Sequence, residues 1–335
     1  MYEVSNMKSE TTKIKVKVKI KSSKIREMIV ISLIFIFTII NLSGFWIGNF
    51  IYTEACQNQT SKGVSNLHEI YKNTFDDNRF LKLSKDEVTI DSPYGYKLSG
   101  TYIHNPTKTE NTVIIVHGIR GSRWESLKYA DIYLNKGYNA LVYDSRFSGE
   151  SGGHDISFGF YEKYDLNQWI KWVHDKNPKG ILGVHGESMG GATVLLHSKL
   201  NEKNHMVKFY VSDCAYSNLG DLLIFRLKKD YGIKNRFLAS TIVNYTNIIT
   251  YVRSGFTFSE VSPINSIKDA KTPILFVHGD SDSFIPFSMS NDMYYIKPGK
   301  KSIYIAPYSG HAQSYLYNKK DYTQKVYDFI DKNVK

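Results

Sequence analysis

The amino-acid order predicts an α/β protein: a mostly parallel central sheet flanked by helices, with a small helical cap, preceded by one N-terminal transmembrane helix. Three observations carry this prediction. Short apolar runs alternate with helix-length stretches from about residue 84 to the C terminus. A Gly-x-Ser-x-Gly turn, Gly186-Glu187-Ser188-Met189-Gly190, sits between one such run and a helix start. No residue from Met28 to Tyr52 is charged, although a basic segment leads into them.

The N-terminal part explains much of the chain's charge. The 335 residues, 42% of them hydrophobic, suffice for one large core or two small ones. Of the formal charge of +11, Lys8, Lys13, Lys15, Lys17, Lys19, Lys21, Lys24 and Arg26 lie within residues 1–27, against Glu3, Glu10 and Glu27. The remaining excess is diffuse and accompanies no nucleic-acid motif, so nucleic acid is not expected as a partner. The uncharged stretch 28–52 is long enough to cross the hydrocarbon core as a helix. With the basic residues before it and Glu54 after it, the positive-inside rule places 1–27 in the cytoplasm and the rest outside. A cleaved signal peptide and secretion is the competing reading. Against it, the apolar stretch continues through Phe45-Trp46-Ile47 and no Ala-x-Ala site follows. The membrane is thus an expected partner through this helix.

Residues 53–83 read as a polar juxtamembrane linker with Tyr71, Phe75 and Phe80, ending in a short helix. The catalytic domain is expected over 84–335, complete enough that a chain starting near residue 60 should be active. Val88–Ile90 and Lys97–Ile103 predict a hairpin about Pro93-Tyr94-Gly95. Thr112–Val116 is the continuous apolar run of a strand buried on both faces. A helix from Ser122 to Lys136, a strand at Ala140–Tyr143 and a helix from Tyr161 to Asp175 follow. Further strands are expected at Ile181–His185, Val207–Val211, Pro273–Val277 and Ser302–Ala306, with a last helix from Tyr322 to Asn333. One insertion, 215–265, interrupts the alternation. Its apolar clusters, Leu222–Phe225, Phe237–Ala239 and Ile242–Ile249, predict a helical cap over the strand ends. Cys56 and Cys214 are not expected to pair, and no metal-ligand spacing exists.

The candidate chemistry lies after predicted strands, where such a sheet binds ligands. Ser188 occupies the strand-to-helix turn, whose tight backbone requires small neighbours, here Gly186 and Gly190. His278-Gly279-Asp280-Ser281-Asp282 follows the strand at Pro273, and Ser309-Gly310-His311 follows the strand at Ser302. A serine hydroxyl needs a base to become a nucleophile, and histidine supplies one near neutral pH. The order Ser188, Asp282, His311 resembles that of the α/β-hydrolase superfamily, over roughly residues 84–335. The resemblance implies Ser188 as nucleophile, His311 as base and Asp282 as acid. Asp280 is the rival acid, and the Asp-x-x-x-Pro spacing to Pro286 favours Asp282. By the same resemblance, His117-Gly118 marks an oxyanion hole formed by the backbone N–H groups of Ile119 and Met189. Asp144-Ser145-Arg146-Phe147-Ser148-Gly149-Glu150-Ser151 resembles the family's turn after the fourth strand, and gives Asp144 and Arg146 a structural role. His117, His185, His278, His154, His174 and His197 are read as structural.

The resemblance implies a serine hydrolase with no cofactor and no metal, acting on a small-molecule ester or amide. Carboxylic-ester cleavage through an acyl-enzyme is the favoured reading. A serine peptidase or aminopeptidase of the same fold is the alternative, and a non-catalytic membrane receptor the reading from another class. The basic cluster Arg226, Lys228, Lys229, Lys234 and Arg236 in the cap is a candidate contact to anionic headgroups.

Overall fold

The computed structural model describes residues 3–58 and 77–334. The middle of the expected linker, 59–76 with Tyr71 and Phe75, lies outside the described residues, and before Ser23 only the side chains of Lys13 and Lys15 are described. Eight strands form one sheet: β1 (Lys85–Asp91), β2 (Lys97–Ile103), β3 (Thr112–Val116), β4 (Asn139–Tyr143), β5 (Leu182–Glu187), β6 (Val207–Asp213), β7 (Ile274–Gly279) and β8 (Lys301–Ala306). Their order is β1-β2-β4-β3-β5-β6-β7-β8. The first two strands are antiparallel to their neighbours and the other six run parallel. From β3 the chain steps to β4 on one side and β5 on the other. This reversal opens a crevice at the carboxyl ends of β3 and β5, where Val116 pairs with Gly186.

The continuous apolar runs are explained by burial on both faces. In β3, Ile114 and Val116 enter one core while Val113 and Ile115 enter the other, and β4 divides Leu141 and Tyr143 from Ala140 and Val142 in the same way. One face is covered by α3 (Arg123–Asn135) and α11 (Lys319–Asn333), the other by α4 (Glu162–Lys176), α5 (Met189–Asn201) and α9 (Ser288–Ile296). Helix α3 starts where its sequence provides a capping box, the Glu125 carboxylate accepting the Ser122 N–H at 2.6 Å.

The insertion between β6 and β7 is helical, as expected. Helices α6 (Leu219–Tyr231) and α7 (Arg236–Ser254) begin at Asn218 and Asn235, whose side chains accept the N–H groups of Asp221 and Leu238. They end at Gly232 and Gly255 with φ of 67° and 75°. Pro263–Ser266 adds the short α8 before β7.

The N-terminal region differs from a span followed by a free linker. Helix α1 (Glu3–Tyr52) continues through a π-helical turn, Thr53–Gln57, and a short α2 (Asp77–Lys82) precedes β1. The stretch from Ser23 to Gln57 is long and apolar enough to cross a membrane, by length and composition. Its last turns pack against α7. Gly44 and Gly48 permit this approach: a Cβ on Gly48 would lie 2.8 Å from the backbone carbon of Tyr245, the close helix contact that small-x-x-x-small spacing allows. Tyr245 donates to Asn41 Oδ1 (3.0 Å), Arg253 donates to Asn49 Oδ1 and Gln57 Oε1 (both 2.8 Å), and the Tyr52 and Ser254 hydroxyls meet at 2.7 Å. The Ile156 N–H donates to the Cys56 carbonyl at 2.9 Å. Residues 53–58 are therefore packed on the domain, and the body around the site does not begin at Ser84.

Candidate active site

The turn after β5 holds Ser188 at φ 56°, ψ −118°, a backbone conformation rare for a residue with a side chain. Its neighbours have no room for one. A Cβ on Gly186 would lie 2.2 Å from the Gly190 carbonyl oxygen, and one on Gly190 2.2 Å from that of Val116. The Ser188 N–H donates to the Asp213 carbonyl at 2.8 Å, which ties the turn to β6. Helix α5 begins at the next residue, so its free N–H groups and positive dipole end face the serine.

Three of the residues singled out in the sequence come together here. Ser188 Oγ lies 2.9 Å from His311 Nε2, and His311 Nδ1 lies 2.7 Å from Asp282 Oδ2. In this order the hydroxyl donates to Nε2 while Nδ1–H donates to the carboxylate. The other carboxylate oxygen, Oδ1, accepts the N–H groups of Phe284 (2.8 Å) and Ile285 (2.9 Å). Burial raises the pKa of Asp282, but the hydrogen bonds from His278, His311 and the backbone outweigh it and hold the carboxyl well below its usual range. Asp280, the rival acid, is exposed and accepts instead the Ser281 hydroxyl at 2.7 Å.

The expected oxyanion donors are the N–H groups of Ile119 and Met189. Among the described residues, neither the N–H of Ile119 nor that of Met189 donates to a protein acceptor, and both residues border the cavity that contains Ser188. The loop carrying Ile119 is held by His117, whose Nδ1 donates to the Gly118 carbonyl (2.7 Å) while Nε2 accepts the Ser145 N–H (2.9 Å). Asp144 accepts the N–H groups of Arg123 and Glu150, and Arg146 pairs with Asp155. These contacts organise the loops below the site.

Several neighbours escaped the sequence reading. His278, read as structural, donates from Nε2 to Asp282 Oδ2 (3.1 Å) and to the Ile285 carbonyl (2.9 Å), with Ser290 on its other nitrogen (2.7 Å). Its only sequence signal is its place at the end of β7, four residues before Asp282. The Phe284 ring lies 4.9 Å from that of His311, and the Arg226 guanidinium lies 4.0 Å from the Phe284 ring centroid. The ligand atoms of Cys214, Asp282 and His311 lie within 4.8 Å of one another. This donor set is poorly prepared for a metal: burial pushes the Cys214 thiol well up, and the Asp282 and His311 atoms are already engaged in hydrogen bonds. Behind the turn, Glu187 takes Lys128 and the Tyr129 hydroxyl (2.5 Å), and Asp213 takes the hydroxyls of Tyr129 (3.2 Å) and Tyr322 (3.0 Å). Burial, reinforced by the Glu187 charge, raises Asp213 to about 6, and burial raises Glu125 to about 7.

A family model described as the alpha/beta hydrolase fold matches residues 111–272. The chain is 34% identical over 283 residues to YqkD of Bacillus subtilis, covering 84% of this chain and 89% of that one. It is 23% identical over 229 residues to the lysophosphatidylserine lipase ABHD12 of Xenopus tropicalis, covering 65% of this chain and 57% of that one. Among solved structures, the Pyrococcus furiosus esterase Pf2001 shares the fold with a TM-score of 0.61 at 22% identity, over 77% of this chain and 96% of that one.

Proposed function

The chain belongs to the α/β-hydrolase superfamily, and from that premise we propose that it is a membrane-anchored serine hydrolase that cleaves carboxylic esters through an acyl-enzyme. The observation that carries this is the unbroken chain from Ser188 through His311 to Asp282, built on a strained turn beside two unused N–H donors. In this reading, Ser188 Oγ attacks the ester carbonyl and passes its proton to His311 Nε2. Asp282 keeps Nδ1 protonated and stabilises the imidazolium. The N–H groups of Ile119 and Met189 receive the charge on the carbonyl oxygen, a contribution of about 3 kcal/mol for each donor. His311 then protonates the departing alcohol, and a water activated by the same nitrogen releases the acid. The names of two similar proteins, an esterase and a lipase, support ester over amide cleavage. The uncharged helix supports an anchor, with the catalytic body outside the cytoplasm.

A fluorophosphonate probe and p-nitrophenyl butyrate test this reading. The protein should label and turn over the ester, and Ser188→Ala should do neither. Labelling of the folded Ser188→Ala protein would remove the nucleophile assignment. Cleavage of aminoacyl amides in preference to esters would replace the esterase reading with a peptidase.

A further inference from the structure

Two cavities meet above Ser188. The inner one, about 170 Å³, is bordered by Ser188 and Met189 and by the apolar side chains of Phe158, Leu219, Leu222 and Ile285. The outer one, about 360 Å³, lies between α6, α7 and the last turns of α1, with Phe50, Ile51, Leu227 and Val243 in its walls. Ala55, Arg120, Leu223, Arg226 and Phe284 border both, so one groove runs from the serine to the flank of α1.

The end of α1 is fixed in this position. The Arg120 guanidinium, next to the Ile119 donor, hydrogen-bonds the Glu54 carbonyl, and the Cys56 carbonyl accepts the Ile156 N–H. Arg226, the second cation of the groove, is engaged by Asp230 (2.6 Å) and the carbonyls of Ser283 and Phe284. The groove thus offers mostly apolar wall, with Arg226 engaged by three acceptors and Arg120 by one. A peptide would bring amides with few partners there, whereas an alkyl chain makes no such demand. Helix α7 runs in the same direction as α1, Tyr245 beside Gly44 and Gly48, Arg253 beside Asn49 and Gln57. Its N-terminal end therefore points back along the apolar length of α1, with Phe237 82% and Leu238 50% exposed. Apolar surface on both helices flanks the outer cavity, and a bilayer would cover it.

We infer that the last turn of α1 and the π-helical turn that continues it, Phe50 to Ala55, form the outer wall of an acyl-chain channel, and that the substrate is a long-chain acyl ester. The inference rests on the serine-hydrolase reading. The anchor helix is then a specificity element as well as a tether. Ala55 stands at the neck between the cavities, Ile51 and Phe50 on the outer wall.

The test uses the full chain in phosphatidylcholine nanodiscs, with p-nitrophenyl butyrate and p-nitrophenyl dodecanoate as substrates and the fluorophosphonate probe as an independent readout. Ala55→Phe and Ile51→Trp should each lower the ratio of dodecanoate to butyrate kcat/KM by about tenfold or more. Phe50→Ala, which removes a partly exposed ring, should move the preference towards longer chains. A ratio unchanged in all three, in protein that labels, would overturn the channel and leave the serine-hydrolase reading standing. Failure of the unsubstituted protein to label would overturn both.

Discussion

The two walls that meet at Ser188 are built in different ways. The floor is made of turns a few residues long, each following a parallel strand: Ser188 after β5, Asp282 after β7 and His311 after β8. The sheet's hydrogen bonding sets where each turn emerges, so little beyond local sequence is needed to bring the three side chains together. The roof is made of α6, α7 and α1, joined by a handful of side-chain links across some two hundred residues of sequence, such as Asn41 to Tyr245 and Asn49 to Arg253. On the proposed reading, the floor carries groups that any ester would meet, and the roof would carry the shape that one ester fits better than another. Reaction type is therefore a local property of this chain, and selectivity a long-range one.

Substitutions in the floor should produce the largest effects. Ser188→Ala should lower ester turnover by roughly 10⁶-fold while far-ultraviolet circular dichroism is unchanged. Next comes the acid. Asp282→Asn should cost roughly 10⁴-fold in kcat, because the amide cannot favour the same imidazole tautomer. Asp280→Asn should leave turnover essentially intact, and the reverse order would move the acid role to Asp280.

A substitution in the roof should act on packing first. Gly48→Leu places a side chain where even a Cβ meets the Tyr245 backbone, so α1 should separate from α7 at a cost of about 1–3 kcal/mol. Hydrogen exchange across α7 should rise, and unchanged protection would show that the two helices do not depend on each other. An effect of similar size lies behind the floor. Asp213 has a folded-state pKa of about 6, above the ordinary carboxylate value of about 3.9. Between those values the folded protein binds more protons than the unfolded one, so this group's contribution to stability falls as pH rises and levels off above about 6. Asp213→Asn should flatten that dependence, which amounts to roughly 1–3 kcal/mol. Denaturant midpoints on either side of the window read it directly.

The same contrast explains what was legible in the sequence. Strands buried on both faces announce themselves as Thr112–Val116 does; Ser188 and Asp282 follow strands of that kind, whereas His311 follows the half-buried edge strand β8. The Gly186 and Gly190 requirement could be read from the turn alone, and the structure supplies its cause in the contacts with Gly190 and Val116. The cap was legible as an apolar insertion, and its helices start and stop at Asn and Gly as expected. The docking of α1 was not. Its contacts come from Asn41, Gly44, Gly48 and Asn49, residues that an isolated membrane span also tolerates, and their partners lie in α7. His278 was likewise hidden, because a histidine before glycine at a strand end carries no mark of the carboxylate it will face. The polar group of Lys128, Tyr129, Glu187, Asp213 and Tyr322 draws on four separate elements, so no window of sequence contains it.

The docking of α1 also bears on how the protein is made. A ribosome delivers α1 well before α7, so on the anchored reading the helix would wait in the bilayer until its partner had been synthesised and had crossed. Cleavage after Tyr52 by a signal peptidase would remove the surface that covers Val243, Tyr245 and Thr246, leaving apolar groups that favour self-association. A secreted form would thus carry an intact relay under an open roof. On the anchored reading proposed above, keeping the leader attached would be a condition of quality control during export, and trimming it would cost protein to aggregation before it cost any chemistry.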